Sequence, residues 1–223
     1  MDKVFVAFDQ DIPRYACTFC YHCQSIWGKS LCTIKNRGCC WYYPKFTLLD
    51  IQRMVKSIDG LQVLEHIRQQ PGTVIHSYII HAKGSFDQQL YDHDLAKGQL
   101  LGEGTVEDQT IFYRTCPFVL EGSGCTLPPR FRTIVCNFFI CSDILENPIL
   151  QDQFKPYIEE RSRYAKWVEW ENLSLKHALM ENQINLAENF QDVIKLLQEL
   201  ALNIYAFPSL IPVELENNWM QGA

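Results

Sequence analysis

The residues with the most chemistry to offer are ten cysteines. They fall in two blocks, Cys17 to Cys40 and Cys116 to Cys141, with 75 residues between them that contain none. In the first block Cys17, Cys20 and Cys23 stand in C-x2-C-x2-C spacing, the run with which a tight loop wraps three thiolates around three corners of a cubane iron–sulfur cluster. Structural zinc sites more often use two separate C-x2-4-C knuckles. The third evenly spaced cysteine therefore favours iron and sulfide, while zinc completed by Cys32 or His22 stays open. The fourth ligand of a ferredoxin-type cluster is often a distant cysteine followed by proline, the form of Cys116-Pro117. Cys39 and Cys40 are adjacent, so they serve different metals or one is a spare, because a shared corner set would strain the backbone between them. A vicinal disulfide there is also strained. Cys116, Cys125, Cys136 and Cys141 are separated by 8, 10 and 4 residues, with Gly122, Gly124, Pro128 and Pro129 turning the chain, a pattern that reads as loop-borne. All ten are candidate metal ligands, enough for one or two clusters of 4Fe-4S type. A free thiol is often just a small buried hydrophobe. Ten at this density bring no packing advantage and carry an oxidation liability.

Other chemistry is thin. His22 reads as solvent-facing, and His76 and His81, five apart in one expected strand, point to opposite faces. His66, His93 and His177 read as ordinary polar residues. Gly102-Glu103-Gly104 is spaced like a methyl-donor turn, but no recognisable helix follows it, so it reads as a surface turn. No Ser-His-Asp set, carboxylate pair or phosphate loop stands out, and no catalytic residue is assigned.

Several elements must position the cysteines. The first block has no sustained period and reads as loop ordered by metal bonds. After it, Thr47 and Asp50 form a capping-box-like start, and Leu48, Ile51, Met54, Val55 and Ile58 make one apolar face of a helix ending at Gly60. LQVLEHIRQQ predicts a second short helix before Pro71-Gly72, and TVIHSYIIH a strand. Residues 84–110 are polar and glycine-containing, after which TIFYRTCPFVL predicts a strand delivering Cys116. Beyond Pro148 the chain is rich in helix formers, with Leu196, Leu197, Leu200 and Ala201 expected to face inward. The expected fold is α+β, predominantly helical, with Cys-rich loops around a metal site and a few short strands. A Cys-rich region over 1–147 and a C-terminal helical region over 148–223 would pack as one compact unit.

With 223 residues, 47% of them apolar, the chain can bury a sizeable core. Its net charge of −6 and pI near 5.5 speak against nucleic acid or an anionic membrane surface as partner. No apolar run approaches the roughly 20 residues that span a bilayer. The start MDKVFVAFDQDIPR carries acids where a secretory signal needs an apolar stretch. The cytoplasm is the expected compartment, and a reducing one keeps thiols available for metal. A disulfide framework is the minority reading, although the even cysteine count allows it.

Three stretches give the chain a family likeness: GCCWYYPKFTLLDI from Gly38, CPFVLEGSGC from Cys116 to Cys125, and TLPPRFRTIVC closing at Cys136. Through these, over roughly residues 17 to 141, the chain resembles the YkgJ-like cysteine-cluster proteins, also described as a zinc- or iron-chelating domain. It departs from their pattern in the stretched Cys32 to Cys40 spacing, the additional Cys17, Cys20 and Cys23, and Arg132-Thr133 in place of Arg-Pro. The resemblance implies metal chelation of iron–sulfur type and, for one branch, an association with lysine N-methylation of flagellin. The leading expectation is an iron–sulfur protein in electron transfer or accessory oxidoreductase work, serving a redox partner protein. The alternatives are a metal-dependent protein lysine N-methylase-like transferase, and a structural zinc protein that binds a partner through Trp167, Trp170 and Leu196.

Overall fold

A computed structural model of the chain describes residues 2–18, 42–100, 107–120, 124–145 and 147–215. Cys20, Cys23, Cys32, Cys39, Cys40 and His22 lie outside the described residues, as does the Gly102-Glu103-Gly104 turn. The chain is mixed α+β. It begins with a hairpin, β1 (Asp2–Asp9) and β2 (Ile12–Cys17), joined by a two-residue turn whose Gln10 sits at φ 54°. Cys17 thus ends a strand, opposite Val4, and is not part of a loop. The β-branched and aromatic run VFVAF pairs antiparallel with IPRYAC, Val4 opposite Cys17 through Phe8 opposite Pro13.

Strand β3 (Lys45–Thr47) leads into α1 (Leu48–Val55), where the capping box forms as expected. The Asp50 backbone N–H reaches the Thr47 hydroxyl at 3.5 Å, and the Thr47 N–H donates to Asp50 Oδ2 at 2.9 Å. The helix stops at Val55, before Gly60. Ser57 caps a new helix, α2 (Ile58–Arg68), by accepting the Gly60 N–H. Ile58, expected on the apolar face, is instead the first residue of α2 and 80% exposed. Gly60 does not end a helix; it lets α2 press on α1, since a Cβ there would lie 2.1 Å from the Met54 carbonyl oxygen. TVIHSYIIH is two strands, β4 (Thr73–Ile75) and β5 (Ile79–Ala82), because the chain turns at His76-Ser77-Tyr78 and the His76 N–H bonds the Ile79 carbonyl. The sheet order is β3-β5-β4, antiparallel throughout. His76 and His81 are therefore not on one strand.

The polar stretch conceals order. After β6 (Ser85–Phe86) comes α3 (Gln88–Lys97), capped by Asp87 at its start and by left-handed Gly98 at its end. None of its residues is buried, so it lacks the apolar stripe by which a helix is read from sequence. TIFYRTCPFVL is mostly not strand. Asp108 holds the Thr110 N–H and starts a 3-10 turn, Gln109–Tyr113, which buries Ile111, Phe112 and Tyr113 in a small second cluster. The two-residue β7 (Arg114–Thr115) pairs with β6. Then follow the hairpin β8 (Val119–Leu120) and β9 (Gly124–Cys125), a 3-10 turn at Pro129–Phe131, α4 (Ile134–Asn137) and α5 (Ser142–Leu145).

The C-terminal part carries the long helix α6 (Gln151–Glu181) and α7 (Phe190–Glu199). Helix α7 ends earlier than expected. Leu197 is fully buried and Leu196 and Leu200 partly so, whereas Ala201 is exposed because the backbone turns extended at Leu200. The last strand, β10 (Val213–Leu215), adds to β1 and completes the order β10-β1-β2. Helices α6 and α7 both pack on α1, and one buried cluster runs from Val4 to Leu215. Among the described residues no helix is long and apolar enough to cross a membrane.

Two outcomes are expected. Gly60→Ala should cost about 2 kcal/mol in chemical denaturation, because the added methyl overlaps the α1 backbone. Burial pushes the phenols of Tyr15, Tyr157 and Tyr164 up from 10.0, and burial with a hydrogen bond to Glu160 lifts Tyr205 to about 12. A raised phenol keeps its proton in the folded chain while the unfolded chain loses it, so stability should be level up to a pH near 10.0 and fall as pH rises towards 12. Urea unfolding followed across that range tests this, and Tyr205→Phe should flatten the fall.

Candidate functional site

Three of the four cysteines in the second block line one small cavity of about 20 Å³: Cys116, Cys125 and Cys136, with Pro44, Phe46, Phe118, Leu127, Arg132 and Thr133. They arrive on three different elements. Cys116 is buried just after β7, where Gly84 lets the neighbouring chain pass, since a Cβ would lie 1.8 Å from the Thr115 carbonyl oxygen and 3.1 Å from Pro117. The chain then turns back, with the Val119 N–H donating to the Cys116 carbonyl at 3.3 Å. This places Cys125 on β9 opposite Val119. The hairpin is closed by Thr126, whose N–H and hydroxyl both donate to the Phe118 carbonyl, at 2.8 and 3.0 Å. Cys136 lies in α4, so the block is carried by short regular elements as well as loops.

Arg132 holds the two halves together. Its Nε donates to the Leu127 carbonyl at 2.7 Å and its Nη2 to the Cys125 carbonyl at 3.4 Å. Thr133 stands at the start of α4 and donates its hydroxyl to Cys136 Sγ at 3.3 Å. Asn137 donates to the Pro129 carbonyl at 2.9 Å and fixes α4 against the preceding turn. A hydroxyl donor at the sulfur and a guanidinium in the wall are surroundings that suit a thiolate, since outer partners orient such ligands and tune their basicity. The remaining walls are apolar. Phe46 and Phe118 meet edge to face with centroids 6.0 Å apart, and the His66 ring tilts over Phe118 at 5.9 Å. His66, read from sequence as an ordinary polar residue, thus backs the cavity wall.

The other described cysteines stand elsewhere. Cys141 precedes α5, accepts the Ile144 and Leu145 N–H groups on its carbonyl, and packs on both hydrophobic clusters. Cys17 packs at the edge of the main core on β2. Neither lines the cavity. Among the described residues no group of three or more His, Cys, Asp and Glu side chains is arranged to hold a metal ion. His81 lies on β5 opposite Lys45, where burial first, and the two neighbouring lysines next, hold its pKa down.

Sequence reasoning named the three cysteines but not their supports. The x8 and x10 spacings of Cys116, Cys125 and Cys136 allow a meeting without requiring it. A threonine three residues before Cys136 is the one local signal of a sulfur partner. Comparison with protein families, curated proteins and solved structures finds no match for this chain.

Proposed function

We propose that Cys116, Cys125 and Cys136 are thiolate ligands of an iron–sulfur centre of 4Fe-4S type. In this reading the protein works in electron transfer, or as an accessory oxidoreductase, with a redox partner protein in the cytoplasm. The observation that carries the reading is that three cysteines, 9 and 11 residues apart in the chain, line one cavity. Its apolar walls limit water at a centre, and the Thr133 hydroxyl is placed to tune the potential through Cys136. A 4Fe-4S cluster takes four thiolates, so one cysteine of the evenly spaced N-terminal run, Cys20, would complete these three, and two clusters would take eight of the ten cysteines. The resemblance to the YkgJ-like cysteine-cluster proteins, carried by the same cysteines, also implies metal chelation.

Purified without oxygen, the protein should be brown, contain iron and acid-labile sulfide, and bleach reversibly with dithionite. A colourless protein holding only zinc would exclude the iron–sulfur reading. Cys136→Ser and Cys20→Ser should each lose most of the bound iron, with Cys141→Ser retaining more than either. Iron content unchanged in Cys136→Ser would remove the cavity from the ligand set.

A further inference from the structure

A second and larger cavity, of about 180 Å³, opens on the other side of the Pro129–Phe131 turn, between the C-terminal end of α1, α6 and the extended chain after α7. We infer that it binds a small organic anion with a flat apolar body, of the aromatic carboxylate class. Arg53 and the exposed Lys56 stand on its α1 side, beside the rings of Tyr164, Trp167 and Tyr205.

The charges are unevenly compensated. The Arg53 side chain is only 9% exposed, yet among the described residues its guanidinium makes a single hydrogen bond, to the Tyr164 hydroxyl at 2.9 Å. Its ionic partner is Asp50 Oδ1, 3.7 Å away and beyond hydrogen-bond reach, while Asp50 Oδ2 accepts from the Thr47 N–H and hydroxyl, each at 2.9 Å. Burial also pushes the Asp50 carboxyl above the usual carboxylate range, which weakens it as a counter-ion. A guanidinium has five N–H donors, so most of this one's donor capacity remains for the cavity. Lys56 Nζ donates to the Gln198 and Leu200 carbonyls at 2.6 and 2.5 Å and has no carboxylate partner among the described residues. Arg130, by contrast, is satisfied by both oxygens of Asp9, at 3.1 and 3.3 Å, and by Asp59, so it forms a neutralised rim. Arg53 and Lys56 are set against the buried Asp50 and the exposed Asp11 on the cavity wall, and the buried, under-bonded Arg53 favours an anion, because desolvated charge demands a partner.

The rings define the rest of the ligand. Trp167 meets Tyr205 at 5.3 Å and Tyr164 at 5.5 Å, and the Arg53 guanidinium lies 5.9 Å from the Trp167 ring, so the cationic end and the aromatic wall are continuous. The volume falls below the roughly 300–1,000 Å³ of pockets for drug-sized ligands and suits one ring bearing one carboxylate. This inference does not rest on the metal centre.

Calorimetric titration of the full chain with benzoate tests it, with benzylamine and inorganic phosphate as comparisons. Benzoate should bind, benzylamine should not, and phosphate should bind at least about tenfold more weakly for want of a ring. Lys56→Gln and Arg53→Gln should each weaken benzoate by about tenfold. Should Arg53→Gln fail to fold, Lys56→Gln alone decides, since that side chain is exposed at the end of α1. No heat with benzoate, equal binding of benzylamine or phosphate, or unchanged affinity in Lys56→Gln would overturn the inference.

Discussion

The structure depends on burying α1, a helix of eight residues of which seven are buried, including Asp50 and Gln52. Taking polar groups out of water is tolerable only where each finds a partner. Here the partners come from the far end of the chain. The Leu49 N–H donates to Asn172 on α6, Gln52 donates to the Leu200 and Ala201 carbonyls, and Arg53 donates to Tyr164. In return, Gln198 donates to the Val55 carbonyl. The chain must therefore leave α7 at Leu200, so that its carbonyls face α1. That exit sends residues 202–205 across to wall the larger cavity.

Around this helix a belt of aromatic side chains ties the N-terminal hairpin to α6. Tyr15 donates its hydroxyl to the Tyr157 carbonyl at 2.5 Å, and Tyr157 donates to the Ile211 carbonyl at 3.0 Å. Phe138 and Phe207 pack on Tyr15 and Tyr164. Edge-on and tilted contacts of this kind add to the area buried. Glu160, buried on α6, is kept by Tyr205 at 2.6 Å and Arg163 at 2.7 Å, so its charge is compensated on both oxygens. Because Phe138 follows α4 directly, the aromatic belt also anchors the short helix that carries Cys136.

The segment from Pro129 to Thr133 divides the two cavities. Arg130 and Phe131 face the larger one, while Arg132 and Thr133 face the cysteines. Its position is set by the Arg130 contacts to Asp9 and Asp59 on one side and by the Arg132 and Asn137 bonds to backbone carbonyls on the other. A shift of this strip would change both cavities together. The sequence pattern of the strip, PPRFRT, shows alternation but not what each residue faces.

Signals confined to one or two turns of chain were legible in the residues alone. The Thr47–Asp50 cap, the helix-forming C-terminal run and the two cysteine blocks all follow from spacing within a few residues. Elsewhere tertiary contacts override the local pattern. Ile111, Phe112 and Tyr113 look like strand but are buried together in a 3-10 turn, and the apolar face of α1 does not extend to Ile58 because Ser57 caps a new helix. Helix α3 had legible caps but no apolar stripe. The sequence by itself determined that this chain is α+β and dense in thiols. Only the tertiary structure decided that Cys116, Cys125 and Cys136 share a cavity while Cys141 does not, and that Arg53 is buried beside an aromatic wall. The physical reason is that those meetings are made by bonds between distant segments, such as Arg132 to the Cys125 carbonyl and Arg53 to Tyr164, which no local periodicity encodes.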